Sequence, residues 1–310
     1  MILEPWIAAQ PVEMAAVFAA EAVRWRRDLD WNTAALWPVL EHARTALGVP
    51  GLILRDNRGA ITGWTYGASR DGELLCGALT ARDAGGTAAL IDGMLALPEA
   101  TTAQRLVWFA YANAPEVEPL MAARGFQLDA HLYLSKPLAA TRVVRTPGRA
   151  WDVRDLDATA ELLRVAYPAV DPTRPFAAQG RLAEWQRYAA DLVLGAGCGR
   201  FQPGLSIVVP GQGDGLDAVA LVTDLGAGTA HLAQLAVRPG VQGAGLGAAL
   251  VTRLSAAAAK AGFARLTLLV GGRNQNARRL YQRVGLIERA SFVSATSVGR
   301  ARAGRQSPAA

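Results

Sequence analysis

Cysteine is nearly absent from this chain, with only Cys76 and Cys198 among 310 residues. Two thiols cannot build the disulfide framework of a small secreted fold, so a reducing, cytoplasmic setting is expected. Histidine is scarce as well. His42, His131 and His231 lie far from one another and from the cysteines, a spacing that offers no metal site. No stretch supplies the roughly 18 uncharged apolar residues of a membrane span. The opening Met1-Ile2-Leu3-Glu4-Pro5-Trp6 has no basic flank, and Glu13 and Glu21 interrupt the apolar residues after it, so no secretory leader is expected. A compact basic run with interleaved aromatics is also missing. The net charge of +6 is largely arginine scattered along the chain, which reads as a solvated surface rather than a nucleic-acid face.

What is present is apolar sequence, 51% of the residues, and a length that suggests two domains. Apolar positions at helical spacing predict helices over residues 10–24 and 32–47, the second with Leu36, Val39, Leu40, Ala43 and Leu47 on its buried face. Hairpin strands, a helix over 87–97, a buried strand at Arg105-Leu106-Val107-Trp108-Phe109 and a short helix at 115–124 follow. Gly125-Phe126 then opens two short strands ending near Pro137. The chain restarts near Trp151 and repeats the same series of elements, with a buried strand at 266–270, a helix at 274–284, and Gly285 opening a final pair of strands through Val298. Arg105-Leu106 falls on Arg265-Leu266, an offset of 160 that also places Gly85 on Gly245 and Gly125 on Gly285. Several matches at one offset, with the same element order, argue for an internal duplication. The expected domains are 1–145 and 146–298, with residues 299–310 a disordered tail carrying Arg300, Arg302 and Arg305.

The sharpest local feature lies in the second copy. The apolar run His231 to Val237 leads through Arg238-Pro239-Gly240-Val241 into Gln242-Gly243-Ala244-Gly245-Leu246-Gly247-Ala248, and a helical run continues to Ala261. Between strand and helix stand glycines and no acidic residue. The first turn of a helix has unpaired N–H donors and the positive end of the macrodipole, a ready seat for phosphate or pyrophosphate. Gly243, Gly245 and Ala248 also fit a dinucleotide-binding fingerprint. That reading needs the strand to run straight into the first glycine and an acidic residue about 20 positions later. Here Arg238-Pro239-Gly240 intervene, and the next strand ends Leu269-Val270-Gly271-Gly272.

Two motifs together resemble the GNAT N-acetyltransferase superfamily. The first is the Gln242 to Gly247 turn. The second, about 30 residues on, is Asn274-Gln275-Asn276-Ala277-Arg278-Arg279-Leu280-Tyr281 ahead of Gly285-Leu286. The resemblance covers roughly 150–298 firmly and implies two tandem α/β domains, each a mixed central sheet with helices on both faces. It implies acetyl-CoA as co-substrate, its pyrophosphate on the backbone of Gln242, Gly243, Ala244, Gly245, Leu246, Gly247 and Ala248, and its pantetheine arm along Leu235, Ala236 and Val237. Asn274 and Ala277 would hold the cofactor arm, and Asn274 also reads as a helix N-cap. Tyr281 is the implied general acid. A phenol titrates near about 10 and a thiol near about 8.5, so a Tyr O–H can protonate a departing thiolate.

The family often places a basic carboxylate on the strand before the phosphate turn, and His231-Leu232-Ala233-Gln234-Leu235-Ala236-Val237 has none. His231 is a possible base if it sits at the exposed end of that strand. Asp171 and Asp224 read better as turn residues. The first copy departs where chemistry is expected. Arg82-Asp83-Ala84-Gly85-Gly86-Thr87 carries an acid in the turn, Met121 stands where Tyr281 does, and Ala114 where Asn274 does. It reads as a degenerate, non-catalytic domain. The expected activity is transfer of acetyl to a primary amine of a small molecule or peptide, in a ternary complex. A non-catalytic acyl-CoA sensor and a mycothiol-synthase-like enzyme are the alternatives.

Overall fold

A computed structural model describes residues 1–111, 114–139, 146–167, 169–195 and 198–298. The tail at 299–310 and the junction at 140–145 lie outside the described residues. In chain order the first half contains β1 (Ile2–Pro5), α1 (Pro11–Leu29), α2 (Trp37–Thr45), β2 (Gly51–Arg55), β3 (Ile61–Arg70), β4 (Glu73–Ala81), α3 (Ala84–Ala96), α4 (Pro98–Thr102), β5 (Arg105–Tyr111), α5 (Val117–Ala122) and β6 (Gln127–Pro137). The second half contains β7 (Arg149–Ala150), α6 (Leu156–Ala166), α7 (Leu182–Val193), β8 (Arg200–Phe201), β9 (Ile207–Pro210), β10 (Leu216–Asp224), β11 (Thr229–Val237), α8 (Leu246–Lys260), β12 (Arg265–Gly271), α9 (Gln275–Arg283) and β13 (Ile287–Val298). The order of elements repeats except for α4, which has no counterpart in the second half, and β8, which has none in the first; Gly85, expected to match Gly245, lies inside α3, whose N-cap is Asp83, whereas Gly245 is the N-cap of α8. Gly125 and Gly285 both adopt positive φ, 79° and 86°, between a helix and the strand after it. No helix among the described residues is long and apolar enough to cross a membrane.

The chain forms two compact units, and neither is a continuous stretch. Unit 1 is 1–23, 34–130 and 291 onward; unit 2 is 24–33 and 131–290. The expected boundary between 145 and 146 is therefore not where the units divide. Each half gives most of its last strand to the other unit. In unit 1 the strand order is β1-β2-β3-β4-β5-β13, with Phe292 opposite Tyr111 and Val298 opposite Arg105. In unit 2 it is β6-β12-β11-β10-β9-β7, with His131 opposite Gly271 and Pro137 opposite Arg265. The strand pairs expected after Gly125 and Gly285 are single strands instead, β6 of 11 residues and β13 of 12.

Each sheet is mixed and carries helices on both faces, which strand alternation makes possible. In unit 1, Leu52 and Leu54 face α3 with Leu90, Ile91 and Met94, while Ile53 faces Trp6, Met14 and Trp64. In unit 2, Ala218, Ala220 and Val222 face α8 with Leu250, Val251 and Leu254. Val219 and Leu221 face α6 and α7 with Leu162, Leu163, Trp185 and Ala189. One predicted face is corrected. Val39 on α2 is 70% exposed, and Leu36 and Leu47 are exposed too, whereas Arg44 is 2% exposed. Arg44 is buried because Glu41 and the carbonyls of Trp6 and Ala9 satisfy its guanidinium.

Candidate functional site

The site is built where β11 ends. β11 runs parallel to β12 from Thr229 opposite Arg265 to Leu232 opposite Leu268, and the ladder stops there although both strands continue. On its other side β11 pairs β10, with Gln234 opposite Leu221 and Leu232 opposite Val222. Ala233 is the extra residue of a β-bulge, which bends a strand and re-aims its side chains. The backbone beyond the bulge thus has no neighbour in the β12 direction. Its N–H and C=O groups are the edge to which an extended ligand can add.

Past Val237 the chain turns through Gly243 and Gly245, at φ 86° and 80°, values that glycine adopts without a steric cost. Gly245 is the N-cap of α8, and no side chain caps that helix. Gln242, Gly243, Ala244 and Gly245 are exposed, and Gln242 turns its amide back to donate to the Val237 carbonyl at 2.8 Å. The early N–H groups of α8 therefore keep their positive end towards solvent, a fifteen-residue helix behind them. Gly247 serves packing. A Cβ there would stand 3.0 Å from Leu280 of α9, so its absence lets the two helices close up.

That approach brings α9 to the same place. Tyr281 is 8% exposed, in the cluster that Leu235, Val237, Leu246, Ala277 and Leu280 join. Burial pushes its phenol above the ordinary value, and Tyr167 adds to the shift. Such a phenol stays protonated across the physiological range. Asn274 caps α9, its side chain accepting from the Ala277 N–H at 3.1 Å. Ala236 instead faces the α6 and α7 side.

His231 is not at an exposed strand end. It is 6% exposed, opposite Thr267 in the closed part of the ladder, with Nδ1 3.0 Å from the Thr267 hydroxyl and its ring stacked on Tyr133. Burial lowers its pKa to about 4. The strand continues inward from that position because the β6 strand covers β12, a neighbour the sequence does not announce. Asp171 and Asp224 are turn residues as read. Asp171 accepts from the Thr173 N–H and hydroxyl, and Asp224 from the Gly226 N–H.

Sequence reasoning missed a second group of residues on the α6 and α7 side. Gln234, 6% exposed, receives a hydrogen bond from the Tyr188 hydroxyl at 2.9 Å and donates to the Tyr167 hydroxyl. Tyr167 in turn reaches the Leu235 carbonyl at 3.5 Å. Aromatics pack behind them: Phe176 stacks on Tyr188 at 4.2 Å, Tyr167 on Trp185 at 5.3 Å, and the Arg174 guanidinium lies 4.9 Å over Trp185. The one signal in the sequence was a polar Gln234 inside an apolar strand.

Unit 1 has the same strand bulge, with Ala78 left out between Leu79 and Gly77, and a parallel ladder that stops at Cys76 opposite Trp108. Its helix start differs. The Asp83 carboxylate caps α3, accepting from the Gly86 N–H at 2.8 Å. Among the described residues no cluster of His, Cys, Asp and Glu could hold a metal.

Residues 156–286 match the model of the acetyltransferase (GNAT) family. Among solved structures, a GCN5-related N-acetyltransferase from Sphaerobacter thermophilus is similar over 96% of this chain and 95% of its own, at 18% identity and a TM-score of 0.64. A GNAT-family acetyltransferase from Colwellia psychrerythraea covers 96% of this chain and 100% of its own, at 13% and 0.56. A tandem GNAT protein from the clavulanic acid biosynthesis pathway covers 81% and 82%, at 16% and 0.52. At these identities the likeness is one of fold. No curated protein matches the chain.

Proposed function

We propose that the GNAT-family domain carried at 156–286 transfers acetyl from acetyl-CoA to a primary amine by direct attack in a ternary complex. The observation that carries this reading is a juxtaposition. An uncapped helix start follows a strand whose backbone loses its parallel neighbour, and a buried phenol stands in the same cluster. In this reading the pyrophosphate takes the N–H groups from Gln242 to Ala248. The pantetheine arm adds alongside Leu235 to Val237 as an extra strand. The amine, as free base, attacks the thioester carbon. A tetrahedral oxyanion forms, the C–S bond breaks, and the sulfur takes the proton of Tyr281. The nitrogen gives its surplus proton to solvent, since His231 is buried and held neutral, and solvent returns a proton to the Tyr281 phenolate. Asn274 fixes the start of α9 and so the position of Tyr281.

One observation favours a second reading, an acyl-CoA-binding module without turnover. β11 offers Gln234 where a basic carboxylate would serve. Thiol release from acetyl-CoA across a panel of primary amines separates the two. Amine-dependent release supports the transferase; saturable binding of acetyl-CoA with no release for any amine supports the module.

A further inference from the structure

The Tyr188, Gln234 and Tyr167 side chains form a hydrogen-bond chain with a fixed direction. The Tyr188 hydroxyl donates to Oε1 of Gln234, whose Nε2 donates to the Tyr167 oxygen. A reversed Gln234 would donate to the Tyr188 oxygen and accept the Tyr167 proton, so it is the orientation found that leaves the Tyr167 proton directed at Leu235. Tyr167 is thereby an acceptor on one side and a donor on the other. Its proton is poorly used: the contact with the Leu235 carbonyl is 3.5 Å, well outside the 2.5–3.0 Å of a good O–H···O bond. A hydroxyl that accepts from an amide is a better donor, because the bonds of a chain polarise one another.

The place it points to matters. Leu235 is the first residue past Gln234, on the backbone where the β12 ladder has stopped. Its side chain joins the cluster holding Tyr281, while its carbonyl faces Tyr167. Tyr167 thus reaches the Leu235 carbonyl from the α6 and α7 side, while Tyr281 lies in the α8-side cluster that the Leu235 side chain joins.

We infer that Tyr167 is a catalytic residue of unit 2, donating its hydroxyl to the thioester carbonyl oxygen and to the oxyanion formed there. Gln234 and Tyr188 are positioning residues that hold that hydroxyl as a donor. The division of labour is then complete: Tyr281 serves the sulfur and Tyr167 the oxygen. The inference rests on the transferase reading for the ligand, a thioester, and for the oxyanion that attack on it forms.

The test uses acetyl-CoA labelled with 13C at the thioester carbonyl. Its C=O stretch is read by difference infrared spectroscopy on the full chain, beside calorimetric binding and amine-dependent turnover. The wild-type stretch should shift to lower frequency on binding. Tyr167→Phe should abolish that shift and lower kcat about 100-fold, with the acetyl-CoA Kd and the amine KM within about twofold. Gln234→Glu, of the same size, offers only acceptor oxygens when ionised and so draws the Tyr167 proton to itself. It should give the same loss of the carbonyl shift without removing the phenol. Tyr281→Phe should lower kcat while leaving the shift in place. An unshifted carbonyl in bound wild type, a shift unchanged in Tyr167→Phe, or faster turnover by Gln234→Glu overturns the inference. Bound acetyl-CoA with a shifted carbonyl and no acetyl transfer to any amine overturns the catalytic role together with the transferase reading, whereas amine-dependent transfer with a shift unchanged in Tyr167→Phe overturns the inference alone. Absence of acetyl-CoA binding overturns both.

Discussion

The two units share a bulged strand, a parallel ladder that stops early and a helix that begins directly after, yet their helix starts are filled differently. In unit 1 the Asp83 carboxylate already sits on the Gly86 N–H; in unit 2 the glycine turn leaves the start of α8 uncapped. The same backbone device is capped by its own carboxylate in one unit and left open in the other, where the proposed function places the pyrophosphate. Relative to a glycine N-cap such as Gly245, a carboxylate cap is worth only about a few tenths of a kcal/mol, so unit 2 forgoes little stability by leaving this position open. The second difference lies in the strand. The third rung of the parallel ladder is Leu75 with Val107 in unit 1 and His231 with Thr267 in unit 2.

Four changes probe this contrast. Tyr281→Phe removes a group for which unit 1 has Met121, and should lower kcat on the order of a hundredfold or more with acetyl-CoA affinity unchanged; equal turnover would remove Tyr281 from the chemistry. Next comes pH. His231 is neutral in the fold at about 4 against an ordinary value near 6.5. Its folded pKa is the lower one, so it costs nothing above about pH 6.5, and stability falls as pH drops from there towards 4, by about 3 kcal/mol. His231→Leu, which gives unit 2 the residue that unit 1 has at that rung, should flatten the thermal midpoint against pH over that window. A third change imports the acid of unit 1. Ala244→Asp places a carboxylate in the exposed turn, where repulsion of a pyrophosphate should weaken acetyl-CoA binding about tenfold, with no change in thermal midpoint. Last, Asp83→Ala should cost about 1 kcal/mol in denaturant unfolding and create no acetyl-CoA site, because Met121 and the rest of unit 1 are unaltered. New tight binding there would mean that Asp83 alone silences unit 1.

Much of this was legible in the sequence because it is local. Glycines between an apolar strand and a helix announce the turn, and Asn274 three residues before Ala277 announces the cap that is found. The repeat at one offset carried the tandem arrangement. What escaped depends on partners distant in sequence. Arg44 reads as a surface residue until the carbonyls of Trp6 and Ala9 are brought to it. His231 reads as exposed until Tyr133 and Thr267 close over it. Gln234 was hidden by the bulge. Strict alternation from Leu232 would send it towards α8, but the extra Ala233 reverses the faces, so that Leu235 and Val237 look that way and Gln234 meets the two tyrosines. A bulge is a statement about register with β10, and register is not written in one strand.

The exchange of final strands has a consequence for how the protein is made. β5 acquires its second neighbour only when β13 is available, with Phe292 opposite Tyr111. At about 5–20 residues per second of synthesis, Tyr111 is followed by roughly ten to forty seconds of translation before Phe292 exists. Throughout that interval unit 1 has an open edge at β5, bearing the unpaired N–H and C=O groups that invite pairing with other chains. The half of the molecule made first is therefore completed only after nearly all of the second half has been made.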